Sequence, residues 1–375
     1  MPASSCDRVV VAVPVRDEIL HLEPCLRALA FQHGRRDHEI LVLINNSSDG
    51  SAEAARCFAE TSPARVIVHE VTLPPEQANA GHARRLALDF AAARLGTNGV
   101  IMTTDADGQV PPDWVDANLR ALAAGADAVA GRAEVHAIDA AHIPPSLQHD
   151  DALECAYAAL LDEMADRIDP DPVDPWPRHD EHSGASIAVR LPVFYRAGGV
   201  PPVLIGEDRA FFAALRRVDA RIRHDRDIAV VVSGRIHGRA FGGMADTIRR
   251  RLARPDPTLD SRLEPALARM RRLRLRHRAR RAWSFGHLVG LWRLDRLAAD
   301  LGLKAHSLRA CMDERYFGTA WAAVEAACPD LCHHTVAAED VLRQTRMARA
   351  VLERIVVNQP AAKHPADTVD ADPAG

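Results

Sequence analysis

The chain has 375 residues, 47% hydrophobic and 26% charged, with a formal net charge of −4. This is the make-up of a globular chain able to bury a large core, with room for one large domain and an appendage. Seven scattered cysteines form no disulfide framework, residues 1–7 have no signal-peptide pattern, and no apolar run approaches the length of a membrane span, so the expected location is cytoplasmic.

Residues 8–13 (RVVVAV) are an almost wholly apolar run of the kind buried on both faces of a sheet. Pro14-Val15-Arg16-Asp17-Glu18 ends it, and Ile19, Leu22, Leu26 and Leu29 then fall on one helical stripe. A second strand is expected over 39–44. It closes in Asn45-Asn46-Ser47-Ser48-Asp49-Gly50-Ser51, whose side chains hydrogen-bond backbone and cap a helix over 52–60. A strand at 65–69, a helix at 78–95 and a strand at 100–103 continue the alternation. The pattern predicts an α/β fold, a mostly parallel sheet flanked by helices with right-handed crossovers. From 133 to 182 it loosens. A helix is expected over 152–168, and the prolines of Asp169-Pro170-Asp171-Pro172-Val173-Asp174-Pro175-Trp176-Pro177 then exclude helix and central strand, leaving an extended, semi-rigid loop. Strand character returns over 221–232. The glycine-rich SGRIHGRAFGG at 233–243 follows, a loop suited to close approach of a ligand.

Beyond it the chain changes character. Residues 244–357 read as helical and carry 22 Lys and Arg against 13 Asp and Glu, which leaves about −13 on the remainder. Residues 358–375, rich in Ala, Pro and Asp, read as a disordered tail. Three parts are thus predicted: an α/β domain at 1–243, a helical region at 244–357 and the tail. Cys328-x3-Cys332-His333-His334 lacks a standard zinc spacing and reads as helical core.

The stretch with the clearest chemistry is Thr103-Thr104-Asp105-Ala106-Asp107-Gly108, directly after the apolar Val100-Ile101-Met102. It puts two carboxylates where a parallel strand ends, the side of an α/β sheet on which ligands bind. If the extended backbone persists, Asp105 and Asp107 point the same way. Such a pair suits a hard divalent cation bound together with phosphate oxygens; the alternative is a solvated turn.

VVVAVPVRDE, ILVLINNSSDGS and TTDADGQVPPDW, in this order, resemble the nucleotide-binding half of family 2 glycosyltransferases of the GT-A fold. SGASIAVRLPVFYRAGG at 183–199 resembles the segment beneath their acceptor site, and GEDRAFFAALRR at 206–217 resembles their Glu-Asp helix. The resemblance spans about residues 8–243. It implies an inverting transferase that moves a sugar from a nucleoside diphosphate sugar, UDP before GDP, to a hydroxyl acceptor, small or lipid-linked, with Mn2+ or Mg2+. It implies Asp107 as direct metal ligand, with Asp105 touching the ribose or sugar or reaching the metal through water. His237 matches a histidine that serves some relatives as a further ligand and would favour Mn2+. Asp208 is implied as general base and Glu207 as the residue that orients the acceptor. Pro14 and Val15 would line the base pocket, with Glu18, Asn45 and Asp49 hydrogen-bonding base and ribose. Arg84 and Arg85 lie on the helix that borders the pyrophosphate; one would reach it. Arg235 and Arg239 would cover the diphosphate as the glycine loop closes. Where the family often has an Asp pair after the second strand, this chain has Ile44 and Asn45. The Asp169–Pro177 loop then becomes a wall or lid over the acceptor, or a plain surface connection.

A helix N-terminus holds a carboxylate pKa down, so Asp208 is expected to act through proximity. The basic run RMRRLRLRHRARR at 269–281 has three readings: a helix paired with the acidic domain, a contact with the anionic inner face of a membrane, or, third, nucleic acid, disfavoured because no aromatics are interleaved. Two other classes compete with the transferase. One is a catalytically degenerate sugar-nucleotide-binding protein that recruits a partner or membrane through its basic helices. The other is a nucleotidyltransferase, which would want a glycine-rich phosphate loop where this chain has VPVRDE.

Overall fold

The computed structural model describes residues 8–35, 37–236, 238, 242–285 and 291–358. In chain order the first half runs β1 (Val9–Val15), α1 (Leu22–Ala30), β2 (Glu39–Asn45), α2 (Ser51–Thr61), β3 (Arg65–Val71), α3 (Ala80–Leu95), β4 (Val100–Thr103), α4 (Trp114–Ala123) and β5 (Ala128–Val135). A short α5 (Ala137–Ala140) and a long α6 (Pro145–Ile168) lead to β6 (Ile187–Arg190), α7 (Leu191–Arg196), α8 (Glu207–Arg217) and β7 (Ile222–Val232). Helices α9 (Met244–Ala253), α10 (Ala266–Phe285), α11 (Leu291–Asp300), α12 (Ala305–Met312), α13 (Phe317–Ala327) and α14 (Val341–Asn358) complete the described chain.

The strands form one seven-stranded sheet in the order β3-β2-β1-β4-β6-β5-β7. β6 runs antiparallel to β4 and β5, and the other pairings are parallel. The apolar run of β1 has a simple cause, because helices cover both faces. Val9, Val11, Val13 and Val15 enter a core with Leu22, Leu26, Trp114 and Val115, while Val10 and Ala12 enter a second core with Leu88, Ala91, Phe194, Phe211 and Phe212. The chain runs outward from β1 through β2 to β3, then returns to β4 on the other side of β1. The carboxyl ends of β1 and β4 therefore flank a topological switch point, where α/β sheets bind ligands.

Three elements depart from the sequence expectation. α1 begins at Leu22, not at Ile19, because Glu18 O accepts the amides of His21 and Leu22 at 3.0 and 2.9 Å in a turn, which leaves Ile19 40% exposed. β5 went unpredicted; its AVAG start has little β propensity, and pairing on both sides by β6 and β7 makes it a strand. α6 starts seven residues earlier than expected, with Pro145 in its first turn.

α6 leaves the sheet and joins the C-terminal helices. Tyr157, Leu161, Met164 and Ala165 share a core with Leu263, Leu273, Val341, Ala348 and Leu352, and Tyr157 Oη donates to Glu264 O at 2.7 Å. A further helical core gathers Leu275, Leu297, Leu308, Trp321 and Val324. α13 docks on the turn after α8, where Asp219 accepts the amides of Phe317 and Gly318 at 2.6 and 2.7 Å and so caps a helix from another part of the chain. Among the described residues no helix is long and apolar enough to cross a membrane. The expected tail lies, from residue 359 onward, outside the described residues.

The basic run lies on α10, and most of its arginines face carboxylates of this same chain. Asp169, its side chain 1% exposed, accepts from Arg276 at 2.6 Å and Arg280 at 3.2 Å, with His277 Nδ1 at 3.3 Å. Arg272 reaches Glu264 at 3.1 Å and Glu325 at 2.5 Å, Arg271 reaches Asp330 at 3.0 Å, and Arg278 reaches Asp300 at 2.6 Å.

Candidate active site

The loops after β1 and β2 hold each other. Asp49 Oδ2 accepts Ile19 N–H at 2.9 Å, its Oδ1 accepts Ser51 N–H and Oγ–H at 3.0 and 2.6 Å, and Ser51 Oγ accepts Glu18 N–H at 2.9 Å. Asp17, at φ 51°, accepts Ser48 N–H at 2.8 Å. The result is to fold Glu18 inward until it is 7% exposed. Asp49 is thus engaged in shaping the loop. Pro14 is half-buried and Val15 buried beside it, and Asn45, at the end of β2, is 2% exposed with no hydrogen-bond partner for its buried Nδ2.

At the end of β4 the backbone turns, with Gly108 N–H donating to Asp105 O at 2.9 Å. The extended geometry expected for this stretch does not persist, and the two aspartates diverge to different arginines. A Cβ on Gly108 would stand 2.7 Å from Thr104 Oγ1, so the turn closes only around glycine. Asp105 pairs with Arg84, which is 5% exposed. Arg84 also donates from Nε to Glu207 Oε1 at 3.0 Å and from Nη1 to Thr103 Oγ1 at 3.1 Å and Gly184 O at 3.0 Å. Four of its five N–H groups are therefore engaged, and its fork ties β4, the start of β6 and α8 together. Gly184 makes room for it, since a Cβ there would lie 2.4 Å from Arg84 Nη2.

Asp107 turns toward Arg235, whose Nη2 lies 3.3 Å from Asp107 Oδ2, while Nη1 donates to Glu18 Oε2 at 2.6 Å and Nη2 also pairs with Glu18 Oε1. Burial pushes the Asp107 carboxyl up to about 7, the charge of Asp105 adds to this, Arg235 opposes it and Glu18 adds again. Asp105 and Glu18 thus add negative charge around Asp107, which Arg235 offsets only in part. Oxygen donors in such a field suit a hard divalent cation, with Asp107 as the residue whose charge most needs it.

Asp208, in the first turn of α8, accepts Gly184 N–H at 3.1 Å on Oδ2 and Arg209 N–H at 2.7 Å on Oδ1. Its pKa is raised, first by burial and then by the charge of Glu207 beside it, against the pull of Arg209 N–H and Arg84. The expected lowering by the helix terminus is overturned, because burial and a like charge one residue away outweigh the amides. Arg84 links the two groups of carboxylates, pairing with Asp105 at the end of β4 and with Glu207, the neighbour of Asp208, on α8.

Residues 10–190 match the model of the glycosyl transferase family 2. This region is a family 2 glycosyltransferase domain. No curated protein matches the chain. Among solved structures it is similar to residues 1–349 of TarS from S. aureus in complex with UDP-GlcNAc (15% identity, 85% of this chain and 91% of that chain covered, TM-score 0.46). It is also similar to the mannosyltransferase PcManGT from Pyrobaculum calidifontis in complex with GDP-Man and Mn2+ (20%, 95% and 87%, TM-score 0.43). A third is glucosyl-3-phosphoglycerate synthase from Mycobacterium tuberculosis with Mn2+, UDP and phosphoglyceric acid (18%, 66% and 77%, TM-score 0.37). The seven-stranded sheet, with its single antiparallel strand β6 between parallel ones, meets the expectation of a GT-A glycosyltransferase fold.

In the glycosyltransferase, Asp105, Asp107, Glu18, Arg84, Arg235, Glu207 and Asp208 come together as one network. Arg85 does not join it; it is 42% exposed and lies 3.8 Å from Asp89 on the outer face of α3. His237 and Arg239 lie outside the described residues. Sequence reasoning missed a second cluster, Asp174, Asp180, His182 and His224, between the 169–183 loop and β7. The His179-x-x-His182 spacing was visible, but its partner His224 is 42 residues beyond His182, and only folding shows that they meet.

Proposed function

We propose that this glycosyltransferase transfers a sugar from a nucleoside diphosphate sugar, UDP before GDP, to an acceptor hydroxyl, with inversion at the anomeric carbon. The observation that carries the reading is the link made by Arg84 between Asp105, at the end of β4, and Glu207 on α8, which sets Asp107 and Asp208, both of raised pKa, beside the two ends of one ion-pair network. Glu18, Asn45, Pro14 and Val15 would form the nucleoside end, and Arg235 would meet the diphosphate. Asp107 would hold a divalent ion, Mn2+ or Mg2+, with Asp105 beside it; such an ion, when bound, stabilises charge developing on the departing diphosphate. Asp208 would take the proton of the attacking hydroxyl. Its raised pKa suits that task, since a base works best when its pKa nears the working pH. Glu207, held by Arg84, would orient the acceptor. A single in-line displacement from the face opposite the diphosphate gives inversion.

The three-part division of the chain enters the proposal with one refinement. Residues 1–243 carry the chemistry, and the region 244–357 acts as a brace that grips the Asp169–Pro177 loop through α10. The inward pairing of the α10 arginines supports this role over a lipid contact. The direct test is a melting-temperature panel of UDP and GDP sugars with Mn2+, Mg2+ or chelator, since a ligand that binds only the native state raises Tm. The reading requires a nucleotide sugar to stabilise the protein in a metal-dependent manner, and donor turnover to give the inverted anomer by NMR. Absence of any metal-dependent shift across the panel refutes it.

A further inference from the structure

His224 Nδ1 lies 2.7 Å from Asp174 Oδ2, and the His224 backbone N–H donates to Asp174 Oδ1 at 2.8 Å. Arg178 and Arg223 donate to the same carboxyl at 3.2 and 3.4 Å, so Asp174 is surrounded by donors and is an acceptor throughout. The proton of a neutral His224 therefore sits on Nδ1, and its Nε2 presents a lone pair. That Nε2 faces His182 Nε2 at 3.2 Å. His182 Nε2 in turn accepts from Arg216 Nη2 at 3.0 Å, so it too presents a lone pair. Two imidazole lone pairs pointing at one another repel unless a proton or a metal ion stands between them. The third group is Asp180, whose Oδ1 lies 3.8 Å from His182 Nε2, and one ligand atom from each of the three residues falls within 4.8 Å of the others.

We propose that Asp180, His182 and His224 form a second metal site, for Zn2+ or a similar borderline divalent ion, separate from the carboxylates at the end of β4. Two imidazoles and a carboxylate are a zinc-type donor set, with one position left for water. The separation of the two Nε2 atoms is close to the edge of a zinc tetrahedron, about 3.3–3.4 Å for bonds of about 2.0–2.1 Å. Asp174 is the carboxylate behind a metal-binding histidine, fixing its tautomer and its ring. His182 is stacked on Phe212 with centroids 4.6 Å apart, and His179 packs edge-on to His224 at 5.7 Å, so the rings are held in place. In this structure Arg216, 2.9 Å from Asp180 Oδ1, supplies the nearest positive charge, with Arg262 and Arg269 acting from farther away. The Arg216 side chain is 47% exposed and can swing to solvent when a metal ion takes over. A metal here would fasten the 169–183 loop to β7 two residues before Gly184, whose N–H holds Asp208. The site does not depend on the transfer chemistry proposed above.

The test uses the full chain stripped with a chelator and titrated with Co2+, then Zn2+, in wild type and in Asp107→Asn, which disables the other metal position. One equivalent of Co2+ should give the visible bands of a four-coordinate ion, and Zn2+ should displace it. The bands should persist in Asp107→Asn and vanish in His182→Ala and in His224→Ala. Asp174→Asn should weaken binding about 10–100-fold, the usual effect of losing the group behind a ligand. Arg216→Ala should tighten it, an outcome that needs no damaged fold to interpret. Absence of a four-coordinate Co2+ spectrum in both wild type and Arg216→Ala overturns the proposal. So does a spectrum lost in Asp107→Asn but kept in the histidine variants.

Discussion

Arg84→Met tests the central joint of the molecule. The substitution keeps most of the side-chain volume and removes a guanidinium that is 5% exposed and pairs with Asp105 and Glu207. Breaking a buried ion pair from one side costs about 3–5 kcal/mol, because the other charge is left buried and unpaired. Glu207 is 11% exposed and bears that cost, whereas Asp105, 36% exposed, is relieved by water and adds little. The lower end, about 3 kcal/mol, is therefore expected, a fall in Tm of roughly 4 °C for a chain of 375 residues at about 2.1 cal/mol/K of unfolding entropy per residue. Arg84→Lys should lie between, since an ammonium cannot span four acceptors. In Arg84→Met/Glu207→Gln the unpaired charge is gone, so the double variant should recover about 1 kcal/mol or more relative to Arg84→Met. Urea unfolding of the metal-free wild type, these three variants and Glu207→Gln alone measures the stabilities, and melting curves give the Tm shifts. A fall in Tm of less than about 2 °C for Arg84→Met, or additive effects in the double variant, refutes the argument that Arg84 stabilises by neutralising Glu207.

Asp208→Asn should lower turnover by roughly two to four orders of magnitude with donor affinity unchanged, as for loss of a general base; donor hydrolysis serves as assay until an acceptor is known, and near-normal turnover removes the role. Asp107 has a folded pKa of about 7 against about 3.9 unfolded, so the folded protein binds more protons between these values and stability falls as pH rises through them. Asp107→Asn should accordingly gain stability over metal-free wild type from pH 4 to about pH 7 and match it below, read as the Tm difference against pH. Gly184→Ala puts a Cβ 2.4 Å from Arg84 Nη2 and should destabilise the wild type but cost much less in the Arg84→Met background. Asp169→Asn removes the charge facing Arg276 and Arg280 and should cost about 3 kcal/mol in urea unfolding, releasing the 169–177 loop to limited proteolysis.

Much of this was legible in the sequence because it is local. The apolar run of residues 9–13 needs helices on both faces, whatever lies elsewhere, and that alone implies a wound parallel sheet. Asp105 and Asp107 follow an apolar strand, and a strand end is where an α/β sheet offers its ligand site. The position of Asp208 at a helix start was equally plain. What the sequence did not determine is how charge is shared among residues far apart in the chain. One of Arg84 and Arg85 read as a phosphate ligand, yet Arg84 is buried between carboxylates from positions 105 and 207 and Arg85 lies on the surface. Asp208 read as a carboxylate of lowered pKa, yet burial and Glu207 raise it. The basic run read first as a helix paired with the acidic domain, but which carboxylates it meets, Asp169 of that domain and Glu264 and Glu325 of its own region, was not legible. In each case the missing quantity was distance in space. Hydrophobic periodicity repeats every two or four residues and can be read along the chain. The field at a buried charge depends on every charge within a few ångströms, and only the tertiary structure decides which those are.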